Sequence, residues 1–352
     1  MRGRHSIIAW LRCVCVSVII ILVVGGVTRL TESGLSMVDW RPVMGILPPL
    51  SEAQWQDVFN QYKSSPEYKA YNSGMSVDGF KSIFFWEYLH RILGRIVGLL
   101  CLLPYLWFLF RKQLDGSLRV RGLCLILLVI AQGLMGWYMV KSGLVDNPDV
   151  SHFRLAAHLG LAFLIFGLGW WTILDLQRGA QPAKGSRKLR LVAVGLLVFL
   201  CIQVTYGAFT SGLKAGYGFN TYPKMGDHWM PESLFALSPM WSNLISDKFS
   251  IQFIHRWLGT LLTISTIGMA GYAIRMGSLT RLQRQRLFWL SGIVVTQFLL
   301  GVATLLFLPE VQVFLPVVHQ LVALFLFAAF LAFIHSLGES SSAGKSSTDT
   351  II

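Results

Sequence analysis

Charged side chains are scarce in this chain. They make up 13 % of its 352 residues, against 54 % hydrophobic ones, a balance that excludes a soluble globular domain of this size. Acidic residues are the scarcer sign: 17 Asp and Glu stand against 30 Lys and Arg, for a net charge of +13. Cysteine is nearly absent. The five cysteines (Cys13, Cys15, Cys101, Cys124 and Cys201) all fall within apolar runs and read as small core residues, so no structural disulfide is expected in the outer loops. The first apolar run has no small-residue cleavage site and no Arg/Ser-rich presequence before it, so it is expected to be retained. Proline is rare inside the runs, Pro104 being the main case, which weighs against a transporter built on broken helices.

What the chain has in abundance is apolar runs of about 20 residues, the length that crosses a bilayer. Eight are read, at roughly 7–28, 83–109, 119–140, 154–176, 190–211, 251–274, 287–308 and 315–337. The positive charge is sorted among the loops between them. Arg2, Arg4 and Arg12 precede or open the first run. Arg111, Lys112, Arg119 and Arg121 follow the second, Arg178 to Arg190 the fourth, and Arg275 to Arg286 the sixth. The loops on the other side mix both signs. Such sorting is the positive-inside pattern and not a nucleic-acid footprint: no nucleic-acid partner is expected, membrane lipid is, and both termini are placed in the cytoplasm. The first outer loop, 29–82, is rich in Trp, Tyr and Pro. Its Ser51–Tyr71 stretch reads as an amphipathic helix at the interface, and the loop is large enough to act as a lid.

The chain also repeats itself. Phe85-Trp86-Glu87-Tyr88-Leu89-His90-Arg91 in the second run returns as Ser250-Ile251-Gln252-Phe253-Ile254-His255-Arg256 in the sixth. His90 and Gln132 are 42 residues apart, as are His255 and Gln297; His90 and His158 are 68 apart, and His255 and His319 are 64. Four runs per half is an even number, so both halves insert the same way up. The predicted fold is an all-α integral membrane protein of eight transmembrane helices, arranged as two tandem four-helix bundles related by a pseudo-two-fold axis along the membrane normal. The N-terminal half spans 1–176, a linker 177–189, the C-terminal half 190–337 and a disordered tail 338–352.

A histidine inside a membrane helix is costly without a partner or ligand. Four occur, His90, His158, His255 and His319, each four to eight residues into a run that enters from outside. They should share one depth, about 6–12 Å in. Two facing imidazoles in a four-helix bundle describe bis-histidine ligation of a haem iron, with all four as axial ligands. A single histidine of this kind would read as a helix-packing group, and zinc is the weaker reading because neither half offers a third His or Cys at that depth. His152, His5, His228 and His335 read as structural or solvated. Gln132, Gln203 and Gln297 each precede a Gly by four residues and read as packing groups. Arg91 and Arg256 are candidates for haem propionates, or for loop groups and headgroups. Glu87 is one turn from His90 on the same face and is matched by Gln252 in the second half. It is the candidate proton acceptor or stabiliser of positive charge, so the halves divide into a reacting site and an electron-transfer site. A di-haem b-type cytochrome exchanging electrons with quinone would use the same histidines without Glu87, but would want its haems at different depths.

Gly25-Gly26-Val27-Thr28-Arg29-Leu30-Thr31-Glu32-Ser33-Gly34-Leu35-Ser36-Met37, together with Glu87-Tyr88-Leu89-His90-Arg91 and the paired later histidines, resembles the haem A synthase family over all eight runs. The likeness is to its proteobacterial and mitochondrial branch; the cysteine pair that the Gram-positive branch carries in the first outer loop is missing here. The resemblance implies a bacterial inner-membrane enzyme that oxidises the C8 methyl of haem O to a formyl group by successive hydroxylations, for haem-copper oxidase biogenesis. It implies that His90 and His158 bracket the substrate haem, that His255 and His319 ligate a resident haem b as cofactor, and that Glu87 is the essential acid. As partners it implies an electron donor that the sequence does not identify, haem O synthase (the protohaem farnesyltransferase) and cytochrome oxidase assembly factors, and it leaves room for a homo-oligomer.

Overall fold

The computed structural model describes residues 2–38, 47–143, 149–178 and 186–338; the tail beyond Gly338 and most of the expected linker lie outside the described residues. Ten α-helices are found among them: α1 (Arg2–Leu30), α2 (Glu52–Lys63), α3 (Pro66–Tyr71), α4 (Val77–Phe110), α5 (Gly116–Gly143), α6 (His152–Arg178), α7 (Arg187–Gly212), α8 (Lys248–Arg275), α9 (Arg281–Leu306) and α10 (Phe314–Ser336). Eight of these, all but α2 and α3, are long and apolar enough to cross a membrane. The fold is all-α, and the chain is a multi-pass membrane protein. Its surface carries bare apolar side chains such as Phe110, Phe288 and Leu164, as a lipid-facing wall requires.

Lipid gives no hydrophobic drive for helix association, so close packing must hold the bundle together. Small residues supply it. Gly169 of α6 faces the thiol of Cys15 on α1, and Gly167 of α6 receives the ring of Phe327 from α10. Around these contacts Val14, Ala193, Leu290, Leu324, Phe330 and Phe333 are fully buried. In the N-terminal half α1 packs on α4 and α6, and α5 on α4 and α6; in the C-terminal half α7 packs on α8 and α10, and α9 on α8 and α10. The same neighbours recur in the two halves. The halves meet where α1 touches α10, α6 touches α7, and α6 touches α10.

Two boundaries differ from the sequence reading. Helix α4 starts at Val77, not near residue 83, because Ser76 caps it by accepting from the Gly79 amide at 3.2 Å. Its extra turns carry Phe80, which with Phe84 of the next turn is buried under Phe59 and Tyr62 of α2. The amphipathic stretch is two helices, broken where Ser65 caps α3 and Pro66 takes its first position. The apolar face of α2 is spent on α4, and Tyr68 of α3 packs on Phe59 and Tyr62 of α2, so this segment forms a cap on the end of the bundle.

Candidate functional site

Each of the four intramembrane histidines is seated against a glycine of the helix that precedes its own in the bundle. A β-carbon placed on Gly25 of α1 would come within 2.6 Å of Cε1 of His90 on α4. The matching approaches are 3.3 Å for Gly136 and His158, 3.1 Å for Gly207 and His255, and 2.9 Å for Gly301 and His319. Only a residue without a β-carbon leaves room for the rings to lie there unshifted. The rings pair within halves, His90 with His158 and His255 with His319.

Contacts between helices tie the four rings to one level. Gly26, next to Gly25, packs on Gln320, next to His319. Arg29, four residues past Gly25, donates to the carbonyls of Ser211 and Gly212 at 3.4 Å; Ser211 is four past Gly207. Gly212 in turn meets His152 on antiparallel α6, six residues before His158. The level lies toward the end that bears the α2–α3 cap.

The glutamines belong to this arrangement, which sequence reasoning missed. Gln132 Nε2 lies 3.2 Å from His158 Nε2, and Gln297 Nε2 lies 3.3 Å from His319 Nε2. Glutamine and glycine, one turn apart on α5 or α9, thus touch the same imidazole. Gln203 instead donates to the His255 carbonyl at 2.9 Å. Helix α1 has Ile21 at the corresponding place, four before Gly25. The recurring Gln-x-x-x-Gly was the signal available beforehand.

The Nδ1 atoms of His90, His158, His255 and His319 are all buried and have no hydrogen-bond partner. A buried unsatisfied nitrogen costs about 1–3 kcal/mol, and four in matched places mark ligand sites more readily than packing errors. Paired neutral imidazoles held apart by glycine-lined walls fit the two faces of a haem. Among the described residues, no group of three or more His, Cys, Asp or Glu could hold a metal ion directly.

Glu87 is buried and fully engaged. Its Oε2 accepts from the Ser36 hydroxyl and the Met37 amide, both at 2.7 Å, and its Oε1 accepts from Arg91 Nε at 3.1 Å and from Arg91 Nη2. Arg91 Nη2 also donates to the Met37 carbonyl at 2.9 Å. In the second half Gln252 donates to the Phe219 carbonyl at 3.0 Å, and Arg256 to the carbonyls of Phe219, Thr221 and Lys224. The residue three before each histidine and the arginine after it therefore clamp the outer loop of their own half. Both arginines, candidates for propionates in the sequence, donate to carbonyls of the outer loop, and Arg91 donates to Glu87 as well.

The remaining histidines have ordinary partners. His152 Nε2 bonds the Ile245 carbonyl at 2.7 Å, and His335 Nε2 lies 2.9 Å from Asp175 at the opposite end of the bundle. His228 is an exposed loop residue.

Residues 8–331 match the profile of a family described as "Cytochrome oxidase assembly protein". Relatives named "Heme A synthase" align along nearly the whole chain. That of Nitrosospira multiformis is 43 % identical over 339 residues, covering 95 % of this chain and 94 % of the relative. That of Sphingopyxis alaskensis is 43 % identical over 334 residues, covering 94 % and 92 %. That of Flavobacterium johnsoniae is 41 % identical over 342 residues, covering 96 % and 99 %.

Proposed function

The chain belongs to this cytochrome oxidase assembly family, and from that premise we propose how its residues serve the oxidoreductase reaction of a haem A synthase, haem O to haem A. The reaction turns the C8 methyl of haem O into a formyl group by successive hydroxylations. His90 and His158 bracket the substrate in the N-terminal half; His255 and His319 ligate a resident haem b in the C-terminal half. The observation that carries this reading is the set of four buried, unpartnered imidazole nitrogens, paired within halves and each ring backed by glycine.

Bound haem supplies the redox chemistry; the protein orients it and shapes the field around it. Gly25, Gly136, Gly207 and Gly301 set how close each ring sits to the neighbouring helix. Gln132 and Gln297 fix the orientation of the His158 and His319 rings. Glu87 holds a carboxylate one turn from His90, where positive charge developing on a reacting methyl would be stabilised, and the Ser36 hydroxyl and Met37 amide hold that carboxylate in place through Oε2. Gln252 cannot do this, which supports the first half as the reacting one. The cation-sorted loops support an inner-membrane location with both termini cytoplasmic.

The test is the haem content of purified wild type and of Glu87→Ala. Wild type should release haem b together with haem O or haem A, and the variant should hold haem O or a hydroxylated intermediate. Haem b alone in both would sink this reading and favour a b-type electron-transfer cytochrome.

A further inference from the structure

One turn below His90 the seam between α1 and α4 opens into a groove. Cys13, Ser17 and Ile20 line it from α1, and Leu93, Val97 and Leu100 from α4. Its cavity volume is about 380 Å³, within the roughly 300–1,000 Å³ of small-molecule sites. Leu93 is three residues past His90 and Leu100 ten, so the groove starts beneath the ring and runs about 10 Å along α4. Its mouth is on the bilayer side, where Val16 and Ile20 are about half exposed.

The second half carries a bulkier side chain at the equivalent place. Aligning Gly25 with Gly207 puts Phe199 where α1 has Ser17, and Phe199 packs against the buried core. The half assigned a haem without a tail has a ring there, and the half assigned haem O has a hydroxyl and a slot.

We propose that this groove holds the isoprenoid tail of haem O while its macrocycle lies between His90 and His158. The proposal rests on the functional reading above. A tail in lipid gains little from burial in another apolar place, so the groove's contribution is orientation. A disc held only by two axial imidazoles can turn about the line between them. A tail lodged on one side of His90 stops that rotation and keeps one methyl at the reacting position, which is the kind of positioning on which rates depend.

The experiment uses the full chain in lipid nanodiscs, with haem O and tail-less protohaem as probes. Ser17→Phe copies the residue of the sister helix, and retained resident haem b reports that it folds. It should raise KM for haem O by about tenfold or more and leave protohaem binding at the His90–His158 site unchanged. In the unmodified protein, haem O but not protohaem should slow alkylation of Cys13 by a membrane-permeant reagent, with exposed Cys124 and Cys201 as internal controls. An unchanged KM in Ser17→Phe, or Cys13 protected equally by both haems or by neither, would overturn the tail site and leave the groove to bilayer acyl chains. A wild type that neither binds nor oxidises haem O would overturn the functional reading itself.

Discussion

A glycine that touches an imidazole and a glycine that touches nothing can lie on one helix, and α9 carries both. A β-carbon at Gly301 would meet His319 at 2.9 Å, whereas at Gly292 it would meet nothing within 4 Å. Gly292→Ala should therefore leave bound haem unchanged and add slight helix stability, about 0.5–1 kcal/mol, while Gly301→Ala should displace the ring and lower haem content severalfold, measured by pyridine haemochrome per chain. Equal retention in both would mean that the glycine contact has no part in ligation. Glu87 calls for a different substitution. Its carboxylate shares a buried ion pair with Arg91, and removing one partner of such a pair costs about 3–5 kcal/mol. The second half, however, keeps Gln252 beside Arg256 and engages the Nη1 and Nη2 groups of that arginine with loop carbonyls. Glu87→Gln should then fold and bind haem yet lose turnover by about 10²-fold or more, read as haem A formed per unit of bound haem. Activity close to wild type would reduce Glu87 to a loop clamp.

Among the elements, the α2–α3 cap holds a buried acid outside the spans. Glu67 accepts from the Tyr62 hydroxyl at 3.0 Å, and that hydroxyl accepts from Asn72 at 2.7 Å. Burial pushes the Glu67 carboxyl up to about 7 from its ordinary 4.5, helped by Glu87 and Glu32 and opposed by the Tyr62 hydrogen bond and Lys214. A carboxyl raised on folding binds its proton more tightly in the folded state, so its stabilising effect is full below pH 4.5 and is lost as pH rises through about 7. Hydrogen exchange across residues 52–71 should accordingly quicken between pH 5 and pH 8 beyond its intrinsic rise, by an opening energy on the order of 1–3 kcal/mol. Glu67→Gln should flatten that dependence; an equal dependence in the variant would place its cause elsewhere. The cap also shows what sequence could not convey. The eight spans were legible because each is a long apolar run, and Ser51 was legible as the start of the amphipathic stretch; the break at Pro66 was not, because the polar and apolar pattern runs on across it. That α2 would fold onto Phe80 and Phe84 was not, since a face that covers another helix has the same pattern as a face that enters lipid.

Across the whole molecule the two halves share a wall, while each keeps its own pair of rings. Arg29 reaches from α1 to the end of α7, Lys214 pairs with Glu32, and Gln320 of α10 donates to the Leu22 carbonyl of α1 at 3.1 Å. The equal spacings of His90 to Gln132 and His255 to Gln297 made the duplication readable. Those spacings could not say that Gln132 and Gln297 touch rings while Gln203 touches a carbonyl, because a side chain's direction depends on the neighbouring helix. Nor could they foresee Ser36 and Met37 as partners of Glu87, which a loop brings back from 50 residues away. Since each ring pair lies within one half, removing one ring should empty one site. On the proposed assignment, His255→Ala should lose resident haem b, because only His319 of that pair would remain to hold it. His90→Ala should keep haem b with an unchanged spectrum and lose haem O oxidation, because α8 and α10 do not depend on α4 for packing. Reduced-minus-oxidised spectra and extracted haems of both variants decide it: haem b retained in His255→Ala and lost in His90→Ala would exchange the roles of the halves, and loss from both would mean that the shared wall couples the two sites.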